Sequence, residues 1–181
     1  MISETANVKH LPTERVSSSQ MIQEAEALGS ARAKVIPVHE ITLGHWVRLR
    51  CQFGCSFFNQ RHTCPTFTPT SDEMGDILLS YRRAMMVEAS NSADVHALVL
   101  CLESRLREKG FFKAFGMGAL PCDLCEVCTI ESNCKYPDRA RPTLQACGID
   151  VSQTLLNIGW DFAVKFQPCT EGHTIGMVLL D

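Results

Sequence analysis

The segment "PCDLCEVCTIESNCKYPDRARP" carries Cys122, Cys125, Cys128 and Cys134, separated by two, two and five residues. Upstream, "CQFGCSFFNQRHTCPTFTPT" contributes Cys51, Cys55 and Cys64, the last followed by Pro65. Thiols this dense point to an inorganic centre. Structural zinc sites use two separated ligand pairs around one ion. Successive C-x2-C steps instead let a loop curl around a polynuclear iron–sulfur core. The 122–134 segment has no interspersed histidine, which suits a soft cluster, with a zinc ribbon as the alternative. Ahead of it, "FGMGALP" is small and flexible, so backbone N–H groups can approach a cluster closely.

The first set has three thiols and no fourth in the same loop. Three arrangements stay open. A fourth ligand arrives from Cys169, Cys147, Cys101, His62 or His173; an iron stays open to solvent or substrate; or a zinc is completed by histidine or water. His62, His173 and Cys169 are the candidates for chemistry, each weighed against an ordinary surface or neighbouring role. Cys101 and Cys147 are expected to be packed core thiols. Arg139 and Arg141 either screen an anionic cluster, bind an acidic group or stand solvated. Phe53, Phe57, Phe58 and Phe67 are expected to form an apolar jacket that limits solvent access, against the plainer reading of core aromatics.

Composition sets the frame for these loops. The chain has 181 residues, 45% hydrophobic, and a net charge of −3. That is enough for one domain with a real core, and it gives no electrostatic support for a nucleic-acid or membrane partner. No apolar run approaches the roughly 20 residues of a spanning helix. The first residues, "MISETANVKHLPTERVSSSQ", lack the apolar stretch of a secretory signal and read as a loose arm over 1–16, ahead of one metal-binding domain over 17–181. The expected compartment is the reducing cytoplasm, where the ten cysteines are metal ligands or redox groups rather than a disulfide framework.

The elements that must position the loops are visible as patterns. Helices are expected over 17–30, over 69–84 with Thr70 and Glu73 at capping-box spacing, and over 91–110 with Val95, Leu98, Val99, Leu102 and Leu106 on one face. A short helix is expected from Pro142 to Gly148. Strands are expected over 32–37, 45–51, 84–90, 161–166 and 174–180, the last two joined by the loop "QPCTEGH". The fold class is α/β or α+β: one small mixed sheet, helices packed on it, and two cysteine-rich cluster-binding loops.

The chain resembles the domain of unknown function 2284 proteins, described as predicted metal-binding proteins and frequent in anaerobic bacteria and archaea. The resemblance rests on "RLRCQFGCSFFNQRHTCPTFTPT", on "FFKAFGMGALPCDLCEVCTIESNCKYPDRARPTLQACGIDV" and on "GMVLLD", and runs from about Val35 onward. The family motif falls on Cys51, Cys55, Cys64, Cys122, Cys125, Cys128 and Cys134. Thr66 replaces the family's second proline, Thr143 replaces a serine, and Cys169 lies outside the pattern. The resemblance implies a metal or iron–sulfur centre and supplies no reaction.

Three functions compete. One is a protein with two [4Fe-4S] clusters passing electrons to a partner enzyme. Another is an enzyme whose three-cysteine cluster keeps an open iron for desulfuration, dehydration or reduction of a small molecule. The third is a zinc-stabilised interaction module. The absence of a phosphate-binding glycine loop favours the first. The expected partner is a redox protein or small molecule, and homo-oligomerisation is left open.

Overall fold

The computed structural model describes residues 16–89, 92–160 and 175–181. Strand β1 (Ser30–Pro37), β2 (Arg83–Ala89), β3 (Phe115–Met117) and β4 (Ile175–Leu179) form one sheet in the order β1-β2-β4-β3. Every pairing in it is antiparallel, where a mixed sheet was expected. Helices α1 (Ser18–Ala27), α2 (His45–Gly54), α3 (Ser71–Leu78), α4 (Ser92–Glu108) and α5 (Val151–Asn157) complete the α/β architecture.

The central strands β2 and β4 are covered on both sides, so their residues form unbroken apolar runs rather than alternating ones. Met85 and Val87 face α1 and α4, with Val178 and Leu180 beside them. Ala84 and Met86 face the other way, toward Met74, Leu144, Cys147 and Leu155. Helix α4 lies so close to the sheet that a Cβ on Gly176 would sit 2.6 Å from Val99 Cγ1.

The helix boundaries follow their side chains. Ser17 caps α1 and Thr70 caps α3, each with a reciprocal capping box, which satisfies amide donors a helix start leaves open. Gly29 and Gly110, both at positive φ, end α1 and α4, a conformation that costs glycine nothing. Met74 and Leu78 of the α3 stripe are buried, while Ile77 is exposed.

Several expected elements differ. The segment 45–51 is helix α2, not a strand. Its apolar–polar alternation mimics a strand, but Val47 and Cys51, one helical turn apart, are the residues it buries. The 142–148 segment holds only a 3-10 turn, Gln145–Cys147, ending at Gly148 with φ of +77°; Thr143 instead forms a parallel bridge with Gly118. Strand β3 and helix α5 arise where no regular element was expected. Residues 1–15 of the arm expected over 1–16, the strand over 161–166 and the loop "QPCTEGH" lie outside the described residues.

Candidate metal centres

Helix α2 presents the first thiols. Cys51 and Cys55 stand one turn apart, Cys55 as the C-terminal cap with its N–H donating to Cys51 O at 3.2 Å. That i, i+4 spacing aims both side chains the same way. The following turns return the chain so that Cys64, its N–H donating to Arg61 O at 3.0 Å, joins them. All three cysteines line one half-open cavity of about 500 Å³. Val47, Phe58, Pro65 and Ala119 supply much of its apolar wall, and Arg50 and Gln145 its polar lining. Cys51 and Cys64 are buried. Burial pushes both thiols up, with Cys55 the next contributor, and Cys64 reaches about 12.

The second set sits on an excursion from the sheet. After β3 the chain leaves at Gly118 and returns at Thr143, and the neck is pinned by Gly118 N to Pro142 O (2.9 Å) and Leu144 N to Gly118 O (3.2 Å). Cys122, Cys125, Cys128 and Cys134 all line one small enclosed cavity, together with Arg61, His62 and Thr63. Burial raises the Cys122 thiol, Cys134 adding to it and Arg61 opposing it.

The two loops interlock. Arg61, from the first, donates through Nη1 to Cys122 O and at 3.4 Å to Cys125 O, its guanidinium 4.6 Å above the Phe57 ring. His62 Nε2 lies 3.0 Å from Thr129 O and 2.9 Å from Ser132 O. Two carbonyl acceptors at one ring nitrogen place the proton there, so His62 staples the second loop. In the other direction, Ala119 and Pro121, which lead into Cys122, help line the first cavity.

The remaining sequence candidates separate clearly. Cys147 is fully buried in the core, and burial lifts its thiol to about 12. Cys101 is exposed, contrary to expectation. At 100° per residue it falls about 120° round α4 from the centre of the buried stripe. Neither lines either cavity. Arg139 is exposed, whereas Arg141 is buried and held by Glu103, so it is neither solvated nor aimed at a ligand. The expected aromatic jacket is broken up. Phe53 and Phe67 are exposed, and Phe57 and Phe58 are half-buried. Cys169 and His173 lie outside the described residues.

Three residues that sequence reasoning passed over matter here. Glu103, 2% exposed, takes two hydrogen bonds from Arg141 and one from Gly116 N. Arg61 ties the loops together; its signal was a cation three residues before Cys64, a candidate ligand. Arg48 performs a related task on the inner side of α2, donating to Pro69 O at 2.5 Å and Ala146 O at 3.1 Å.

Among the described residues no three His, Cys, Asp or Glu side chains approach closely enough to hold a single metal ion. Tetrahedral zinc, with Zn–S of about 2.3 Å, would draw its sulfurs to about 3.8 Å of one another. A polynuclear core seats each thiolate on its own iron and keeps the sulfurs further apart. Arg61 Nε is buried with no hydrogen-bond partner, and the residue lines the four-cysteine cavity. An unpaired buried donor costs about 1–3 kcal/mol, and a sulfide-rich anion in that cavity would remove the cost. Seven thiols lining two cavities, with an unpaired Arg61 donor at the second, fit thiolate-bound centres, an iron–sulfur group among them.

Comparison with known proteins gives one match. The sequence model of a family described as "Predicted metal-binding protein (DUF2284)" matches residues 34–180. No curated protein and no solved structure matches the chain.

Proposed function

The chain belongs to the DUF2284 family of predicted metal-binding proteins, and on that premise we propose that it holds two iron–sulfur clusters and passes electrons to or from a partner. Cys122, Cys125, Cys128 and Cys134 hold the closed centre; Cys51, Cys55 and Cys64 hold the other. One observation carries this reading: each cysteine set lines its own cavity, and the segment between Cys55 and Cys64 forms part of the wall of both sites. Iron–sulfur groups supply one-electron transfer at a potential set by charge, hydrogen bonding and exposure.

The chain's own residues do the rest. The pinned neck at Gly118 and Thr143 and the His62 staple hold the four-cysteine loop in shape. Arg48 fixes α2, and with it Cys51 and Cys55, to the body of the fold. Leu49 and Phe53, both exposed and both at the first cavity, form an apolar rim beside the less protected centre.

The cavity supports a second reading. A volume of about 500 Å³ is in the range of small-molecule sites, and the three-cysteine set leaves one coordination position to another ligand. On this reading the protein is an enzyme whose open iron meets a mostly apolar small molecule.

Iron, zinc and acid-labile sulfide in protein purified without oxygen test the first proposal. Iron and sulfide in comparable amounts, with EPR signals on reduction, are expected. Colourless protein with stoichiometric zinc would overturn both cluster readings. Cys169→Ser then separates them. A changed spectrum for the three-cysteine centre makes Cys169 its fourth ligand, while an unchanged one that responds to added cyanide makes the site open.

A further inference from the structure

Arg61 is the one described residue that contacts ligand cysteines of both sets by hydrogen bonds: its carbonyl receives the Cys64 N–H, and its guanidinium reaches the Cys122 and Cys125 carbonyls. We propose that Arg61, while it ties the two loops together, donates its Nε–H to a sulfur of the group held in the four-cysteine loop. The inference rests on the iron–sulfur reading above and assigns a positioning and potential-setting role within it.

Three independent features converge on this residue. The guanidinium is fixed, because Nη1 is spent on two carbonyls and its face lies on the Phe57 ring. Its Nε is buried and has no partner within the protein, and the side chain lines the cavity on which the four cysteines converge. A buried donor is sustained by an acceptor, and the group the cysteines hold would supply one.

Hydrogen bonds to cluster sulfurs and nearby positive charge favour the reduced state. Arg61 thus makes the four-cysteine centre easier to reduce. A lysine at this position keeps the charge but has no Nε–H and no planar fork.

Potentiometric titration of the full-length protein followed by EPR, on wild type, Arg61→Met and Arg61→Lys, tests this. Iron and sulfide are assayed on each sample. Arg61→Met is expected to shift the four-cysteine centre to more negative potential by at least tenfold in its reduction equilibrium, about 59 mV for one electron. Arg61→Lys is expected to leave that centre shifted as well, because lysine keeps the charge but lacks the Nε–H. Unmoved potentials in a two-cluster Arg61→Met protein overturn the inference and leave the iron–sulfur reading standing. Absence of iron and sulfide in wild type overturns both. Should the variants lose their clusters, wild-type protein labelled with ¹⁵N-arginine provides the answer by ENDOR: coupling of a guanidinium nitrogen to the reduced four-cysteine centre is expected, and its absence rejects the role.

Discussion

Arg141 and Glu103 meet through two hydrogen bonds, Nε to Oε2 and Nη2 to Oε1, both 2.7 Å long, where the four-cysteine loop rejoins the sheet. Both side chains are buried. Glu103 also accepts Gly116 N at 2.7 Å and pairs with Arg107 at 2.9 Å. One carboxylate therefore joins α4, β3 and the end of the loop, and through them it sets where Cys122–Cys134 stand.

Removing one member of a buried, hydrogen-bonded pair leaves the other charge uncompensated, at a cost of about 3–5 kcal/mol. Glu103→Ala is expected to lose that much by denaturant unfolding. It should also lower iron occupancy at the four-cysteine centre more than at the three-cysteine one, read by EPR of each centre.

The proposed function divides the cysteines into ligands and bystanders. Cys125→Ser is expected to remove one centre's iron and sulfide, and Cys55→Ser the other's. Cys101→Ser, on the exposed side of α4, should change neither metal content nor stability. Cys147→Ser should keep both centres yet cost about 1–3 kcal/mol, because it buries a hydroxyl in an apolar core. Loss of iron in the Cys147 variant would reject its assignment as a packing thiol.

Gly148 is held at φ +77°, and a Cβ there would meet Ser71 Oγ at 2.2 Å and Ser71 Cα at 3.1 Å. Gly148→Ala is expected to destabilise the fold by about 1–3 kcal/mol, from both overpacking and strained backbone. Gly159→Ala, also at positive φ but with open space around its Cβ position, should cost less. Equal losses would show that crowding at Ser71 contributes nothing.

Asp181 closes the sheet from β4 to β2. Arg83 donates to its Oδ1 at 3.0 Å and Oδ2 at 2.6 Å, and this pairing holds the carboxyl below its ordinary value of 3.8 despite some burial. A carboxylate depressed in the folded state contributes stability above its unfolded value and loses it as pH falls through the folded one. Wild type should therefore lose stability below about pH 4 more steeply than Asp181→Asn does, as followed by thermal melts across pH. The pair is partly solvent-exposed, so the difference should be modest and should shrink in high salt.

The sequence by itself determined the helices whose start and stop residues act locally. Thr70 and Glu73 cap α3, Ser17 caps α1, and Gly110 ends α4 because each acts within one turn of its own position. It also determined the division of the thiols into two sets, since each set is contained in one short segment. Helix α2 was hidden: "HWVRLRC" satisfies the strand period, and only the burial of Val47 and Cys51 against the 146 region settles it as helix. Cys101 looked like core because apolar neighbours flank it in sequence, whereas the tight seat of α4 on Gly176 fixes which face is buried. The relation between the two cysteine sets was also beyond the sequence. It depends on Arg61 and His62 reaching carbonyls roughly sixty to seventy residues away, contacts that carry no local pattern. They exist only once the sheet has brought the neck at Gly118 beside the end of α2.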